Sequence, residues 1–392
     1  MAMDYDVVII GGGVIGSAIA YFLARDPGFG GKVAVVERDP TYRTASSALS
    51  ASSIRQQFST AVNIAISAYG ISFLREIGTH LAVDGSVPEI GLREPGYLYL
   101  ASPEGLPVLQ ENHRIQRAEG VEVALLDPAA LVERFPWISA EGIAAASLGL
   151  SGEGWFDGYS VMQAFRAKAR ALGVTYIHGE AVAMERHGRR IAAVTLKDGR
   201  RLACGHVVNA GGPHARAVAA MAGIALPVEA RRRSVFVMDC RRQLADCPLV
   251  IDISGIWFRP EGEYFIAGMA PPEEEDPERF ELDVDHHLFE EVMWPALATR
   301  VPAFEALKVV NAWAGHYEMN TFDHNAILGL HPDVDNLVFA NGFSGHGLQQ
   351  SPAVGRGIAE LIVHGGYRSL DLTPLSFGRV LENRPLRELN II

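Results

Sequence analysis

Short apolar runs broken by glycine set the first pattern along the chain. Residues 7–10 are wholly apolar and β-branched, as expected for a strand buried on both faces. Gly11 to Gly16 follow, then an apolar helical stretch to about Arg25, stopped by Asp26, Pro27 and Gly28. Residues 33–36 repeat the buried-strand pattern and end at Glu37. Strand, helix and strand in that order predict a βαβ unit with parallel strands. Residues 46–53, rich in Ser and Ala, read as a loop feeding a helix over 60–77, with Ile64, Ile71, Phe73 and Leu74 on its apolar face. Helices are also predicted over 106–119 and 161–172, the second capped by Ser160 and closed at Gly173. Strands are predicted over 96–100, 174–177, from Val182, over 191–196, 201–204 and 206–209, with a hairpin at Asp198 and Gly199. Residues 235–238, 256–258 and 264–267 read as strands of a second sheet. Arg231, Arg232 and Arg233 read as a solvated strand edge, and residues 273–276 as a solvated acidic loop. Residues 337–340 form another buried strand, followed by a glycine-rich turn to Gly347 and a helix over 352–364.

The first turn carries chemistry. Gly11, Gly13 and Gly16 form GxGxxG between a strand and a helix, the context the motif requires. Gly11 permits the tight turn, Gly13 lets the backbone approach a pyrophosphate, and Gly16 allows close helix–strand packing. The helix start at Val14 and Ile15 offers N–H groups and a partial positive charge to phosphates. Glu37, at the end of the second strand with Arg38 beside it, can accept both ribose hydroxyls and would repel a 2′-phosphate. The motif's N-terminal position and the lack of a second complete copy favour FAD over NAD. The nearest later candidate, Asn209 to Gly212, lacks the spacing.

Composition sharpens this. A chain of 392 residues, 48% hydrophobic and 20% charged, is globular and fits about two domains. Nucleotide-type elements lie at its start, middle and end. The expected division is a discontinuous FAD-binding domain over 1–85, 151–230 and 310–392, and a β-rich substrate domain over 86–150 and 231–309. The fold class is then α/β, a Rossmann-like domain with an antiparallel β-sheet second domain of α+β character. A net charge of −12 argues against nucleic acid as a partner. Three scattered cysteines are not a disulfide framework, and the N-terminus has no basic secretory region, so a cytoplasmic location is expected. The apolar stretch 7–24 is interrupted by four glycines, so no integral membrane segment is expected. His286 and His287 have no partner at ligand spacing, so no metal is expected. Only Lys32, Lys168, Lys197 and Lys308 are lysines.

Residues 7–16, Glu37, 209–213 and 342–347 together resemble the D-amino-acid-oxidase-like flavoproteins, which include sarcosine and glycine oxidases. The likeness spans nearly the whole chain. Residues 54–59, 153–157, 312–315, 320–323, 342–350 and 390–392 are similar to a subgroup, that of the mitochondrial FAD-dependent oxidoreductase domain-containing protein and its bacterial relatives. The resemblance implies oxidation of a C–H bond α to an amine by hydride transfer to flavin N5, with water hydrolysing the imine. It implies that Val182 meets the adenine through its backbone, and that Ser46 and Ser47 face the phosphates or the ribityl chain. Asn209, Ala210, Gly211 and Gly342 would border the cofactor. Gly345, His346, Gly347, Leu348 and Gln349 would lie under the flavin, their N–H groups near its pyrimidine edge. Family members with covalent FAD use a Cys or a His absent here from residues 313–317 and 48–52 respectively, although His316 lies in the first stretch. Non-covalent FAD is expected.

A carboxylate substrate calls for arginine, whose planar guanidinium donates two parallel bonds. Arg55 sits where sarcosine oxidases place a substrate-side Arg. Arg259, after a strand of the second sheet, could enter the same cavity. A surface position or a structural ion pair is the alternative for each. Tyr317 matches a Tyr or Arg of the active-site wall, with a packed aromatic as its alternative. Trp257 falls near the cavity aromatics, and His346 near the flavin edge. Gln349 stands where sarcosine oxidases carry an oxygen-activating lysine, so the acceptor is either oxygen or an electron-transfer partner. The expected reaction is oxidation of a small amino acid with a secondary amine, sarcosine- or iminodiacetate-like. A D-amino-acid or 2-hydroxy-acid dehydrogenase is one alternative, and an FAD-binding assembly protein without turnover another.

Overall fold

The computed structural model describes residues 4–389, so the tail 390–392, part of the resemblance above, lies outside it. Two eight-stranded sheets organise the described residues. In the first, the order is Ile327–His331, Val334–Asn341, Arg201–Asn209, Tyr5–Ile10, Val33–Glu37 and Thr175–His178. All neighbours are parallel except the first two, which form a hairpin. A further hairpin, Ala181–His187 with Arg190–Leu196, leans on Arg201–Asn209. Val7, Val8 and Ile9 are fully buried, consistent with apolar packing on both faces. Burying each such side chain stabilises the fold by about 1.5–3 kcal/mol.

Helices Val14–Arg25, Ala61–Arg75, Gly158–Ala171 and Gly347–His364 pack together on one face of this sheet. A Cβ on Gly355 would lie 2.8 Å from the Ala18 Cβ, so glycine sets how closely the last helix approaches the first. The parallel register puts Ile10, Glu37, Asn209 and Asn341 along one edge. Ligands of open α/β sheets bind at that carboxyl edge.

The second sheet runs Lys308–Asn320, Val228–Asp239, Tyr264–Gly268, Trp257–Glu261, Leu249–Ile251, Tyr97–Ala101, Ala145–Gly149 and Val123–Leu126. It is antiparallel except where Leu249–Ile251 meets Tyr97–Ala101 in parallel. One face packs Leu98, Phe236, Phe258, Phe265 and Phe304 into a core of its own. The other turns Tyr97, Leu249, Ile251 and Trp257 toward the carboxyl edge of the first sheet.

Several elements differ from the pattern reading. Strand Lys308–Asn320, mostly inside the range 310–392, pairs with Val228–Asp239 along its length and so belongs to the second sheet. The third helix starts at Gly158, and Asp157, not Ser160, caps it. The Asp157 carboxylate accepts from the Ser160 N–H at 3.0 Å and its hydroxyl at 2.6 Å. The helix over 60–77 ends at Arg75, and Ile77–Leu81 forms a separate turn. Arg231 to Arg233 are not solvated: they pair with Lys308–Asn320, none of the three side chains is exposed, and Arg233 is buried. Nor is all of 273–276 solvated, because Asp276 turns inward to Arg233. Local polarity points outward in both segments, and pairing with Glu229, Asp276 and Asp285 makes the burial of these charges tolerable.

Candidate active site

A single cleft runs between the sheets, lined at one end by Gly11, Gly13, Val14, Ile15, Glu37 and Arg38. Ala210 and Gly211 border it where strand Arg201–Asn209 ends. Gly11 has φ +104°, and a Cβ there would sit 2.1 Å from the Ala210 carbonyl oxygen. At Gly16 it would sit 1.9 Å from the Gly11 oxygen. Both positions therefore exclude a side chain. Gly16 itself lies behind the cleft, holding turn against helix. The first helix has no side-chain cap from Gly13, which leaves its start open to a charged ligand. Glu37 is oriented by two amides, Oε2 accepting from Gly12 N–H at 2.8 Å and Oε1 from Asp39 N–H at 2.8 Å.

The cleft continues past the short helix Ser46–Leu49. Ser47 Oγ accepts from the Val14 N–H at 3.1 Å, while Ser46 Oγ is buried with no partner among the described residues. Asn209 does not line the cleft; its side chain donates to the Ala215 carbonyl and accepts from the Gly211 N–H. Nor does Val182, which is exposed on the outer hairpin.

At the far end the turn after Asn341 carries Gly342, Ser344 and Gly345 at φ +70°, +48° and +92°. Ser344 to Gln349 line the cleft, with Gly342 just behind. Helix Gly347–His364 begins here without a side-chain cap from His346, the same open geometry as at the first helix. The Glu318 carboxyl, absent from the sequence reading, accepts from the Gly342 and Phe343 amides of this turn. Burial pushes it up to about 8, against the pull of those two bonds. Its Oε2 has no partner.

Arg55, Tyr97, Arg233, Leu249, Ile251, Trp257 and Tyr317 surround this end. Arg55 is 1% exposed. Its guanidinium donates to the Gln57 carbonyl at 2.8 Å, meets His346 Nε2 at 2.8 Å and lies 4.1 Å from the Phe58 ring centre. An arginine only donates, so His346 Nε2 is the acceptor. Burial, and then the Arg55 charge, hold the His346 pKa well below the ordinary range. His346 is thus a neutral ring fixing Arg55 and not an acid at neutral pH. Gln349 Oε1 accepts from the Arg55 N–H at 2.9 Å and from Ser67 Oγ at 3.1 Å, so this side chain also secures Arg55. Burial raises the Tyr317 pKa, while the charges of Arg233 and Arg55 oppose the rise.

Arg259 does not enter the cleft. Its guanidinium pairs with Glu261, donates to the Ala51 carbonyl at 2.7 Å and lies over Trp155. Arg233 lines the cleft instead, 5.2 Å from the Tyr317 ring centre. Its sequence mark is slight: it is the last of three consecutive arginines before the apolar run 235–238. His214 and His316 border the cleft near Arg38. Burial, then the Arg38 charge, brings His214 down to about 4. Among the described residues no cluster of three or more His, Cys, Asp or Glu could hold a metal ion. No described helix is long and apolar enough to cross a membrane.

Two helix starts facing one long cleft, a ribose-type carboxylate at one end and a glycine turn at the other, fit an extended dinucleotide. The unpartnered Ser46 hydroxyl between them fits its middle. Fold and cleft together define a flavoprotein oxidoreductase. The chain belongs to the family described as DAO, FAD dependent oxidoreductase, which it matches over residues 6–361. The FAD-dependent oxidoreductase domain-containing protein 1 of Xenopus laevis is 46% identical, over 99% of this chain and 85% of that protein. Human mitochondrial dimethylglycine dehydrogenase is 25% identical over 95% of this chain and 44% of that protein. Among solved structures, the L-proline dehydrogenase of P. horikoshii superposes with TM-score 0.86, at 25% identity over 98% of this chain and 100% of that one.

Proposed function

We propose that this FAD-dependent oxidoreductase oxidises a small amino acid through its secondary amine, with Arg55 and Tyr317 receiving the carboxylate. The observation that carries the reading is a buried guanidinium, held by His346 and the Gln57 carbonyl, beside a tyrosine at the glycine-turn end of the cleft. The names of the dimethylglycine, sarcosine and proline dehydrogenases support an N-substituted amino acid.

Bound FAD supplies the acceptor for the hydride leaving the carbon next to nitrogen. The chain's part is binding and orientation. Gly11, Gly13, Val14 and Glu37 would hold the pyrophosphate and ribose, and the N–H groups of residues 345–349 the flavin end. Arg55 would fix the carboxylate, so that the α-carbon meets the glycine turn in one orientation. Tyr97, Leu249, Ile251 and Trp257 form an apolar wall that favours the uncharged amine. The resulting imine adds water and releases a carbonyl compound and an amine. No lysine lines the cleft, and Gln349 is engaged with Arg55, which supports an electron-transfer acceptor over oxygen.

The test is anaerobic bleaching of the flavin by N-methylglycine, proline and iminodiacetate against a panel of 2-hydroxy acids. Bleaching by amines alone is expected. Arg55→Ala should raise the amine's apparent dissociation constant at least tenfold while FAD stays bound. Bleaching by hydroxy acids alone, or by nothing, would overturn the reading.

A further inference from the structure

Arg233 is buried in the second sheet, and most of its donors are already taken. A guanidinium has five N–H groups in a rigid plane. Nη1 donates to the Arg232 carbonyl at 2.8 Å and to Asp276 Oδ1 at 2.8 Å. Nη2 donates to Asp276 Oδ2 at 2.7 Å. Asp276 therefore fills the end of the guanidinium, between Nη1 and Nη2. Nε has no partner among the described residues, although it is buried. The second Nη2 proton has none either, since Nη2 bonds only to Asp276. Those two protons lie parallel on one side of the plane and form the second fork that matches a carboxylate.

The unfilled fork belongs to a residue that lines the same cleft as Arg55 and lies above the Tyr317 ring. The charges of both arginines reach the Tyr317 hydroxyl, so both cations lie close to it. A buried donor left unpaired destabilises the protein, and a ligand's acceptor would remove that cost.

We propose that Arg233 is a second carboxylate site, so that the substrate is a secondary amine bearing two carboxylates, one on Arg55 and one on the open fork of Arg233. This rests on the amine reading above and narrows its substrate class. Asp276 sets the strength of the site, because its negative charge opposes a second anion at the same guanidinium. Removing that charge should tighten binding.

Glutarate and butyrate test the site without turnover. Glutarate has the length of iminodiacetate with carbon in place of nitrogen, and butyrate lacks one carboxylate. Each is titrated into the FAD-loaded protein and read by the change in flavin absorption. Glutarate should bind at least tenfold more tightly than butyrate. Arg233→Gln should reduce that ratio to within twofold, with butyrate affinity unchanged. Arg233→Lys keeps the charge, loses the fork and should lose most of the ratio. Asp276→Asn should widen it. A ratio near one in the unsubstituted protein, or one unmoved by both Arg233 variants, overturns the proposal. If the ratio behaves as expected but no amine bleaches the flavin, the amine reading falls and the second carboxylate site stands. If amines bleach it and the ratio is flat, only the site falls.

Discussion

Glu318→Gln should flatten the dependence of stability on pH. Glu318 is a buried carboxyl whose ordinary value of 4.5 is raised to about 8, chiefly by desolvation. The folded group therefore keeps its proton where the unfolded one has lost it. Its contribution to stability is full below pH 4.5 and is lost as pH rises through about 8. Between pH 6 and pH 9 the loss integrates to about 3 kcal/mol. A glutamine keeps an oxygen for the Gly342 and Phe343 amides but carries no proton to lose. At about 2.1 cal/mol/K per residue, a chain this long has an unfolding entropy near 0.8 kcal/mol/K. The difference in Tm between the two proteins should then change by about 3–4 °C across that range. Glu153 titrates with the same sign, burial raising it to about 7, but it is present in both proteins and cancels. Thermal unfolding at pH 6 and pH 9, with and without added FAD, is the assay. Parallel Tm profiles would show that Glu318 is already ionised and that its place under the turn costs nothing.

Gly345→Ala should weaken FAD binding at least tenfold, since φ is +92° and the new Cβ would fall 2.5 Å from Tyr317 Cε2; flavin fluorescence titration reads it, and unchanged affinity would displace the turn from the flavin. Glu37→Gln should cost about 1–2 kcal/mol of FAD affinity, near tenfold, because a neutral amide replaces a charged acceptor. Equal affinities of the two proteins would remove the ribose assignment. Acid precipitation should release the flavin into the supernatant; a yellow pellet would place a covalent bond, with His316 in the cleft as a candidate nucleophile.

The nucleotide end of the cleft was legible along the chain because its signal is local. A strand, three spaced glycines, a helix and a terminal Glu37 lie within 37 residues, and backbone geometry dictates each residue type. The glycine turn before Gly347 is similarly compact. Nothing local separated Arg259 from Arg233. Arg259 meets Glu261 two residues on, whereas Arg233 lines the cleft and meets Asp276 from 43 residues away. Sequence distance likewise concealed Glu318, whose partners are the amides of a turn 24 residues later.

The sequence by itself determined the βαβ unit, the dinucleotide and the interleaving of two sheets, since glycine placement and hydrophobic period are properties of neighbours along the chain. The tertiary structure alone decided that Arg55 and Arg233 line the cleft while Arg259 turns away to Glu261. It also decided that strand Lys308–Asn320 belongs to the second sheet. Those outcomes depend on register, on which face of a strand a side chain leaves, and on the low dielectric that makes each buried charge find a partner.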